Sequence, residues 1–358
     1  MDLSPYDLSP RETPIRPILL NRRAAARPTI TGVERWTAEL LPRLHALAPE
    51  RYTLTDPPAE MSGRASGQAW EQFVLPVEAR RARAALIFSP ANLAPLLWPR
   101  NVVMVHDAAV LRAPQAYSRA YGLWHRTVGI ACARRSLLVL TVSEFSRREL
   151  IELAGLDPER VVVVRGGVDP RFTPTADHQR VTRKLGLERP YVLTVATNDR
   201  RKNLAALSEA AVSLAALGIE LVWAGETRPY IGGAAPVDGV RPLGYVDEAD
   251  LPGLYAGAAA FVLPSLYEGL GLPCLEAMAC GTPVIAADRA ALPETCGSAA
   301  LLVDPDDRPG VAAAAVAAAT DDGLRKRLSE AGLRRASEQT WDGAALQTDE
   351  ILLRIAYG

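Results

Sequence analysis

The stretch around residue 270 constrains the fold most, because it reads as strand, glycine-containing loop, helix and strand in unbroken succession. Residues 258–263 form an apolar run that is typical of a buried strand, and Pro273 stands where a helix can begin. Gly281 and Pro283 then stop the helix, and residues 284–287 form the next apolar run. This succession is typical of an α/β chain in which a strand leads into a ligand-facing loop.

The loop itself has the composition of an anion site. Gly269 and Gly271 let the backbone approach a ligand closely, and the first N–H groups of the following helix point into the same space. We therefore expect a phosphate here. Glu268 precedes the glycines and Glu276 lies inside the helix, so the two carboxylates must contact different parts of a ligand or serve different purposes.

Strands and helices alternate along both halves of the chain, which predicts two parallel sheets with helices on both faces. Its 358 residues suit two domains, with expected bounds of 1–175 and 188–340 and a terminal helical segment over 341–358. Among the predicted strands are residues 102–105, 191–196, 242–246 and 300–303, and among the predicted helices are 117–135, 178–185, 204–217 and 322–337.

Composition excludes several classes of protein. A formal net charge of -1 is unlike a nucleic-acid-binding protein, which carries an excess of Lys and Arg. No apolar run approaches the roughly 18 residues needed to cross a bilayer, and the first residues do not resemble a secretory signal. The cysteines are too scattered for a zinc site or a disulfide scaffold, so we expect buried, reduced thiols and a cytoplasmic protein: Cys132, Cys274, Cys280 and Cys296.

Further candidate ligand-binding residues follow other predicted strands. His106 comes directly after residues 102–105, at the carboxyl end of a strand, where open α/β sheets bind ligands. Arg201 and Lys202 lie between a strand and a helix, where two cations need an anionic partner such as a diphosphate. Gly32 occupies a similar place before the first helix, although a plain turn explains it equally well.

The predicted helix 117–135 and the one after it are rich in arginine. A solvated helix face accounts for this pattern. Attraction to anionic lipid headgroups, or to an acceptor carrying a lipid diphosphate, accounts for it equally. Both interpretations stay open at this stage for Arg119, Arg126, Arg134, Arg135, Arg147 and Arg148.

Residues 268–284 read E-G-L-G-L-P-C-L-E-A-M-A-C-G-T-P-V and closely resemble the Glu-x7-Glu signature of retaining glycosyltransferase family 4, with Leu270 in place of the usual Phe. Residues 31–36, T-G-V-E-R-W, resemble the first loop and helix of that family, and residues 103–107, V-M-V-H-D, resemble its strand ending in His-Asp. Residues 165–169, R-G-G-V-D, resemble P-N-G-V-D. The likeness covers nearly the whole chain and implies the GT-B fold, two Rossmann-like domains facing a cleft, with the terminal helix packed on the first domain.

The resemblance also implies roles for particular residues. His106 would approach the donor sugar, Glu268 its hydroxyls and Glu276 the ribose. The diphosphate would be held by the two cations and the loop amides, in place of a metal, and no cofactor is expected. The implied catalytic pair is His106 and Glu268, and the implied donor-binding set is Arg201, Lys202, Gly269, Leu270, Gly271, Leu272, Glu276, Val246 and Gly32.

By resemblance the function is transfer of a hexose, with mannose favoured, from a nucleotide-sugar to a glycan or lipid-linked acceptor in polysaccharide or cell-envelope assembly. GDP-mannose is the favoured donor, and retention would follow from front-face transfer. The alternatives are a UDP- or dTDP-sugar donor, or a catalytically silent nucleotide-sugar-binding scaffold. We expect no nucleic-acid partner and consider a peripheral contact with the cytoplasmic face of the membrane.

Overall fold

The computed structural model describes residues 16–25, 32–226 and 237–358, and it consists of two six-stranded parallel sheets. The first sheet has the order β2-β1-β3-β4-β5-β6. Its strands are β1 Ile18–Asn21, β2 Tyr52–Thr55, β3 Leu86–Ser89, β4 Asn101–Met104, β5 Leu138–Thr141 and β6 Val161–Val163.

The second sheet has the order β12-β11-β10-β7-β8-β9. Its first strand in the chain therefore lies in the middle, so that later strands are added on one side and then on the other. Its strands are β7 Tyr191–Val195, β8 Glu220–Ala224, β9 Val240–Gly244, β10 Ala260–Leu263, β11 Val284–Ala287 and β12 Ala300–Val303. The predicted pair of doubly wound parallel sheets is confirmed.

Helices cover both faces of each sheet. In the first half they are α1 Gly32–Leu47, α2 Arg64–Ala69, α3 Leu75–Arg81, α4 Ala109–Arg112, α5 Arg119–Trp124, α6 Ile130–Arg135 and α7 Glu144–Ala154. From the linker onward they are α8 His178–Leu185, α9 Ser208–Ala215, α10 Leu251–Ala256, α11 Leu272–Ala279, α12 Leu292–Cys296, α13 Arg308–Thr320, α14 Asp322–Ser337 and α15 Trp341–Tyr357. One π-helical turn, Trp70–Val74, joins α2 to α3, and another, His125–Gly129, joins α5 to α6.

The central strands are buried on both faces, as expected for parallel strands covered by helices on each side. Their side chains fill separate hydrophobic clusters above and below each sheet. Leu270, from the second half, is part of the cluster under the first sheet, so the two halves touch directly at the glycine-containing loop.

Helix α15 returns to the first half and packs against α1. Trp341 and Leu352 are buried in the same cluster as Trp36 and Leu40. The hydroxyl of Tyr52 donates a hydrogen bond to Asp349 at 2.5 Å. The last helix thus fastens the end of the chain to the first sheet, while the exact domain bounds stay a prediction.

Several predicted element bounds are wrong in detail. Strand β9 ends at Gly244, so Tyr245 and Val246 lie in the loop beyond it, and the next helix begins only at Leu251, where Pro252 is tolerated in the first turn. The helix expected over residues 204–217 is a 3-10 turn, Leu204–Leu207, followed by α9. In contrast, α8, α14 and β12 have the predicted bounds.

Some side chains of the arginine-rich region donate hydrogen bonds to backbone carbonyl oxygens. Arg134 donates to the carbonyl oxygen of Ala154 at 2.9 Å, and Arg147 donates to that of Val161 at 2.8 Å. These bonds favour a local structural role for two of the six arginines. Among the described residues, no helix combines the length and apolar character that a bilayer span requires. Contact with a membrane surface stays a prediction.

Candidate active site

A cavity of about 440 Å³ lies between the two halves, a volume within the range of small-molecule sites. Strands β7 and β10 pair at the centre of the second sheet, which is the point where the strand order reverses. The loops that follow them therefore meet at one place on the carboxyl edge. All eleven predicted site residues line this cavity: Gly32, His106, Arg201, Lys202, Val246, Glu268, Gly269, Leu270, Gly271, Leu272 and Glu276.

The glycine-containing loop is clamped against the first half. A Cβ atom on Gly269 would lie 2.9 Å from the carbonyl oxygen of His106, so only glycine allows this approach. The carbonyl oxygen of Gly269 accepts hydrogen bonds from the hydroxyls of Ser143 at 2.6 Å and Ser146 at 3.1 Å. Gly271 has φ +91° and caps the N-terminus of α11. The two glycines thus serve a close contact and a left-handed turn.

Glu268 is a buried carboxylate held by two donors. Its Oε1 accepts a hydrogen bond from Lys202 Nζ at 2.6 Å and another from the Ser265 hydroxyl at 2.8 Å. Lys202 follows strand β7 and Glu268 follows β10, so the pairing of these strands brings the two side chains together. Sequence reasoning placed each residue at the site but did not anticipate this ion pair.

Arg201 is held between the two halves. Its Nε donates to the Asp199 carboxylate at 2.9 Å, and its guanidinium lies 5.1 Å from the ring centre of Tyr117, which belongs to the first half. Asp199 is fully buried. Sequence reasoning sought the anionic partner in a ligand, whereas the structure provides a carboxylate two residues earlier. That spacing is the signal that could have identified Asp199.

Glu276 accepts hydrogen bonds from side chains of both halves. Tyr255 donates to its Oε2 at 3.0 Å, and Arg35 from helix α1 donates to its Oε1. Arg35 also binds Glu248, which in turn accepts a bond from Arg171 at 3.1 Å. Arg35 therefore crosses the cleft and joins two carboxylates of the second half. It lies inside the T-G-V-E-R-W element, but nothing in the sequence indicated its partners.

His106 faces the cavity as a neutral imidazole. Its Nε2 lies 2.8 Å from the carbonyl oxygen of Pro90, which can only accept, so Nε2 carries the proton. Burial lowers the pKa of His106, which favours the neutral form and leaves Nδ1 as a hydrogen-bond acceptor. The backbone N–H of His106 donates to Asn92 at 2.8 Å. The side chain can therefore orient a ligand hydroxyl and has no charge to offer.

Trp36 packs behind His106. The two ring centres are 5.2 Å apart in an edge-to-face arrangement, and the Trp341 ring meets Trp36 in the same kind of arrangement at 5.1 Å. A Cβ atom on Gly166 would lie 2.3 Å from the Trp36 ring. The pattern P-N-G-V-D has Asn where this chain has Gly166. The Trp36 ring thus occupies the space that a side chain at position 166 would need.

Tyr245 and Val246, which follow β9, line the cavity together with Glu248, and Gly32 lines it at the start of α1. Asp304 and Asp306, the nearest thing to an Asp-x-Asp loop, both bind Arg289, at 3.1 and 2.8 Å. In the described residues, no group of three His, Cys, Asp or Glu side chains could hold a metal ion. Metal independence stays a prediction.

The two halves of the chain match two different family descriptions. Residues 30–172 match the family described as Glycosyltransferase Family 4, and residues 189–322 match the one described as Glycosyl transferases group 1. O-antigen chain mannosyltransferase B of Escherichia coli is 32% identical over 262 residues, which cover 70% of this chain and 69% of the relative. An MMP alpha-(1->4)-mannosyltransferase of Mycolicibacterium hassiacum is 32% identical over 229 residues, covering 60% of this chain and 54% of the relative.

Solved structures share the architecture. Sucrose-phosphate synthase of Thermosynechococcus elongatus superposes with a TM-score of 0.73 at 22% identity, covering 95% of this chain and 99% of its own. HepE of Anabaena, in complex with UDP-glucose, gives 0.72 at 18% identity and covers 94% and 99%. The chain therefore belongs to glycosyltransferase family 4, and it is a glycosyltransferase with the GT-B fold.

Proposed function

We propose that this enzyme transfers mannose from GDP-mannose, with retention of anomeric configuration, to a glycan or lipid-linked acceptor in polysaccharide assembly. The observation that carries the proposal is the shared cavity. Arg201, Lys202 and the loop at Gly271 border one hollow, and His106 lies on the wall that belongs to the other half. A nucleotide-sugar matches both walls, because its diphosphate is anionic and its sugar is rich in hydroxyls.

Departure of the nucleoside diphosphate builds negative charge on its β-phosphate and positive character on the anomeric carbon. Lys202, Arg201 and the backbone N–H groups of Gly271 and Leu272 would stabilise the phosphate charge in a partly buried site. When the donor binds, Lys202 would contact the phosphate in addition to Glu268. Glu268 would then accept hydrogen bonds from sugar hydroxyls.

The proposal for retention rests on the geometry of front-face transfer. The acceptor hydroxyl attacks the face of the sugar from which the phosphate departs, and the leaving phosphate oxygen takes the acceptor proton. Glu268 is bound by Lys202 and Ser265, which suits a carboxylate that positions the sugar rather than one that forms a covalent intermediate. His106, neutral at Nδ1, would accept a hydrogen bond from a sugar hydroxyl.

Two observations support mannose and guanine. The two relatives described above, which are 32% identical to this chain, are both mannosyltransferases. Glu248 borders the cavity next to Val246, and a carboxylate complements the adjacent N1–H and N2–H donors of guanine, which uracil and thymine lack. Ribose hydroxyls would share Glu276 with Tyr255.

The test is nucleotide release from GDP-mannose, UDP-glucose and a dTDP-sugar, with Glu268→Ala as the inactive control. We expect turnover with GDP-mannose at a kcat/KM well above that of the other donors, and an α-linked product by NMR if the donor is α-configured. Turnover only with UDP- or dTDP-sugars would overturn the choice of base. Tight donor binding without release from any donor would favour the silent scaffold.

A further inference from the structure

Part of the cavity lining in the first half is apolar, and we call this part of the cavity the apolar compartment. From the charged cleft, its lining continues into the first half, between the α5–α6 run and helix α7. The residues that border this compartment are uncharged and apolar: Val110, Leu111, Ile130, Ala133, Leu150 and Ala154.

Several of the apolar residues at this end of the cavity are small. The hydrophobic cluster packed there includes Ala108, Ala133 and Ala154, and all three line the cavity. Interiors are ordinarily packed to crystal density, so a space of this kind needs a reason. Apolar walls favour the binding of apolar groups, because such groups lose contact with water there.

An aromatic series connects this compartment to the reaction centre. Arg201 lies over Tyr117, the Tyr117 and Tyr121 rings are stacked at 5.4 Å, and His125 follows Tyr121 at 4.2 Å. All four residues line the cavity. His125 also begins the π-helical turn that ends at Gly129, and such turns are frequent at functional sites. A molecule in the compartment would therefore reach the donor sugar without leaving the protein.

The charges near the compartment disfavour a phosphorylated acceptor. The described lysine and arginine side chains that line the cavity already have carboxylate partners: Lys202 with Glu268, Arg201 with Asp199, and Arg35 with Glu276 and Glu248. Two of them, Arg201 and Lys202, are the cations that we propose bind the donor diphosphate. Asp107, which adds a negative charge, also lines the cavity.

We propose that this compartment binds an apolar alkyl or aryl group attached to an uncharged acceptor sugar, and so places the acceptor hydroxyl beside the donor. The proposal rests on the proposed function, because it assigns the acceptor side of the same cavity.

The experiment compares octyl α-mannoside, methyl α-mannoside and mannose 6-phosphate as acceptors at a fixed saturating concentration of GDP-mannose. We expect the KM for the octyl glycoside to be at least about tenfold below that of the methyl glycoside, which is the effect of burying two methylene groups. Mannose 6-phosphate should be no better than the methyl glycoside. Equal KM values for the octyl and methyl glycosides, or a preference for the phosphate, would overturn the proposal.

Ala133→Leu fills the compartment, and Ala131→Leu on the same helix is the matched control because Ala131 does not line the cavity. We expect the first variant to lose most of the octyl advantage, and the second to keep both that advantage and the wild-type rate with methyl α-mannoside. Leu111→Phe, from another wall, is the second filling variant if Ala133→Leu unfolds. Equal behaviour of the filling and control variants contradicts the assignment.

Failure of the proposed function can be distinguished from failure of the proposed apolar site. Donor binding and acceptor-independent nucleotide release report on the donor site alone. If no donor turns over, calorimetric binding of octyl α-mannoside to the wild type and to both alanine variants still measures the compartment. Binding that Ala133→Leu weakens at least about tenfold and Ala131→Leu leaves intact supports the apolar site. No binding to the wild type rejects it.

Discussion

The two walls of the cavity are built differently. On the second half, two cations are paired with carboxylates of the same half, Lys202 with Glu268 and Arg201 with Asp199. On the first half, the wall is made mostly of His106, an aromatic series and apolar residues, and its charged members are Arg35 and Asp107. The charged wall is complementary to a diphosphate, and the aromatic wall to sugar rings and apolar groups. One side thus suits the leaving group and the other the incoming acceptor.

Removing a cation from the charged wall should have the largest effect. We expect Lys202→Ala to lower kcat/KM for nucleotide release by about 10²–10³-fold, because one preorganised contact to the developing phosphate charge is lost. Lys326→Ala changes an exposed lysine on α14 and serves as the control. A loss no greater than that of the control would show that the charged wall does not act on the leaving group.

Arg35 tests the connection between the walls. Arg35→Ala leaves Glu276 and Glu248 without their shared cation, and we expect the free energy of unfolding to fall by about 1.5–3 kcal/mol. Arg43→Ala removes an arginine of the same helix whose pairs are more exposed, and it should cost about 0–1 kcal/mol. Urea denaturation of both variants measures the difference, and equal losses would mean that the bridge across the cleft stabilises nothing.

The support behind His106 can be examined with a double-mutant cycle. Gly166→Ala forces a Cβ into the Trp36 ring and should destabilise the protein by about 1–3 kcal/mol through overpacking. In a Trp36→Phe background the same change should cost less than half as much, because the clashing part of the ring is gone. Additive effects would show that Trp36 and Gly166 do not compensate each other.

A smaller, pH-dependent effect is expected at Glu294, which binds α7 from across the cleft. Its carboxylate accepts from the N–H groups of Glu144 at 3.0 Å and Phe145 at 3.1 Å and pairs with Arg165 at 2.8 Å. Burial opposes the charge of Glu294, but these bonds outweigh it and hold its pKa below the ordinary value.

Because the folded-state pKa of Glu294 is lowered, its contribution to stability is present at neutral pH and is lost as the pH falls through that pKa. We expect Glu294→Gln to cost about 1 kcal/mol at pH 7 and progressively less as the pH falls below about 4. Thermal unfolding of both proteins at several pH values measures this. A difference that persists unchanged in acid would place the effect in packing.

Sequence reasoning recovered the charged wall better than the aromatic one. Residues 268–276 carry two glycines, two carboxylates and a helix start within one short segment, so local chemistry already indicated a phosphate site. Arg201 and Lys202 were found because cations between a strand and a helix need an anion. The aromatic series was missed because Tyr117, Tyr121 and His125 at a spacing of four are typical of an ordinary helix face.

The predicted bounds of helices and strands are wrong where the chain turns. Asn203 has φ 51°, and this left-handed residue together with the 3-10 turn after it delays α9 beyond the predicted start. Likewise, the acidic residues after Val246 form a turn before α10. Apolar periodicity locates the middle of an element well, but its ends depend on caps and single backbone conformations.

By itself, the sequence determined the alternation of strands and helices, the parallel sheets and the segments that carry the anion-binding chemistry, because each depends on residues close together in the chain. The tertiary structure alone decided that Arg35 meets Glu276, that Trp36 fills the place beside Gly166, and that an apolar compartment opens from the cleft. Those contacts join residues far apart in the chain, and the order in which parallel strands lie side by side is what brings them together.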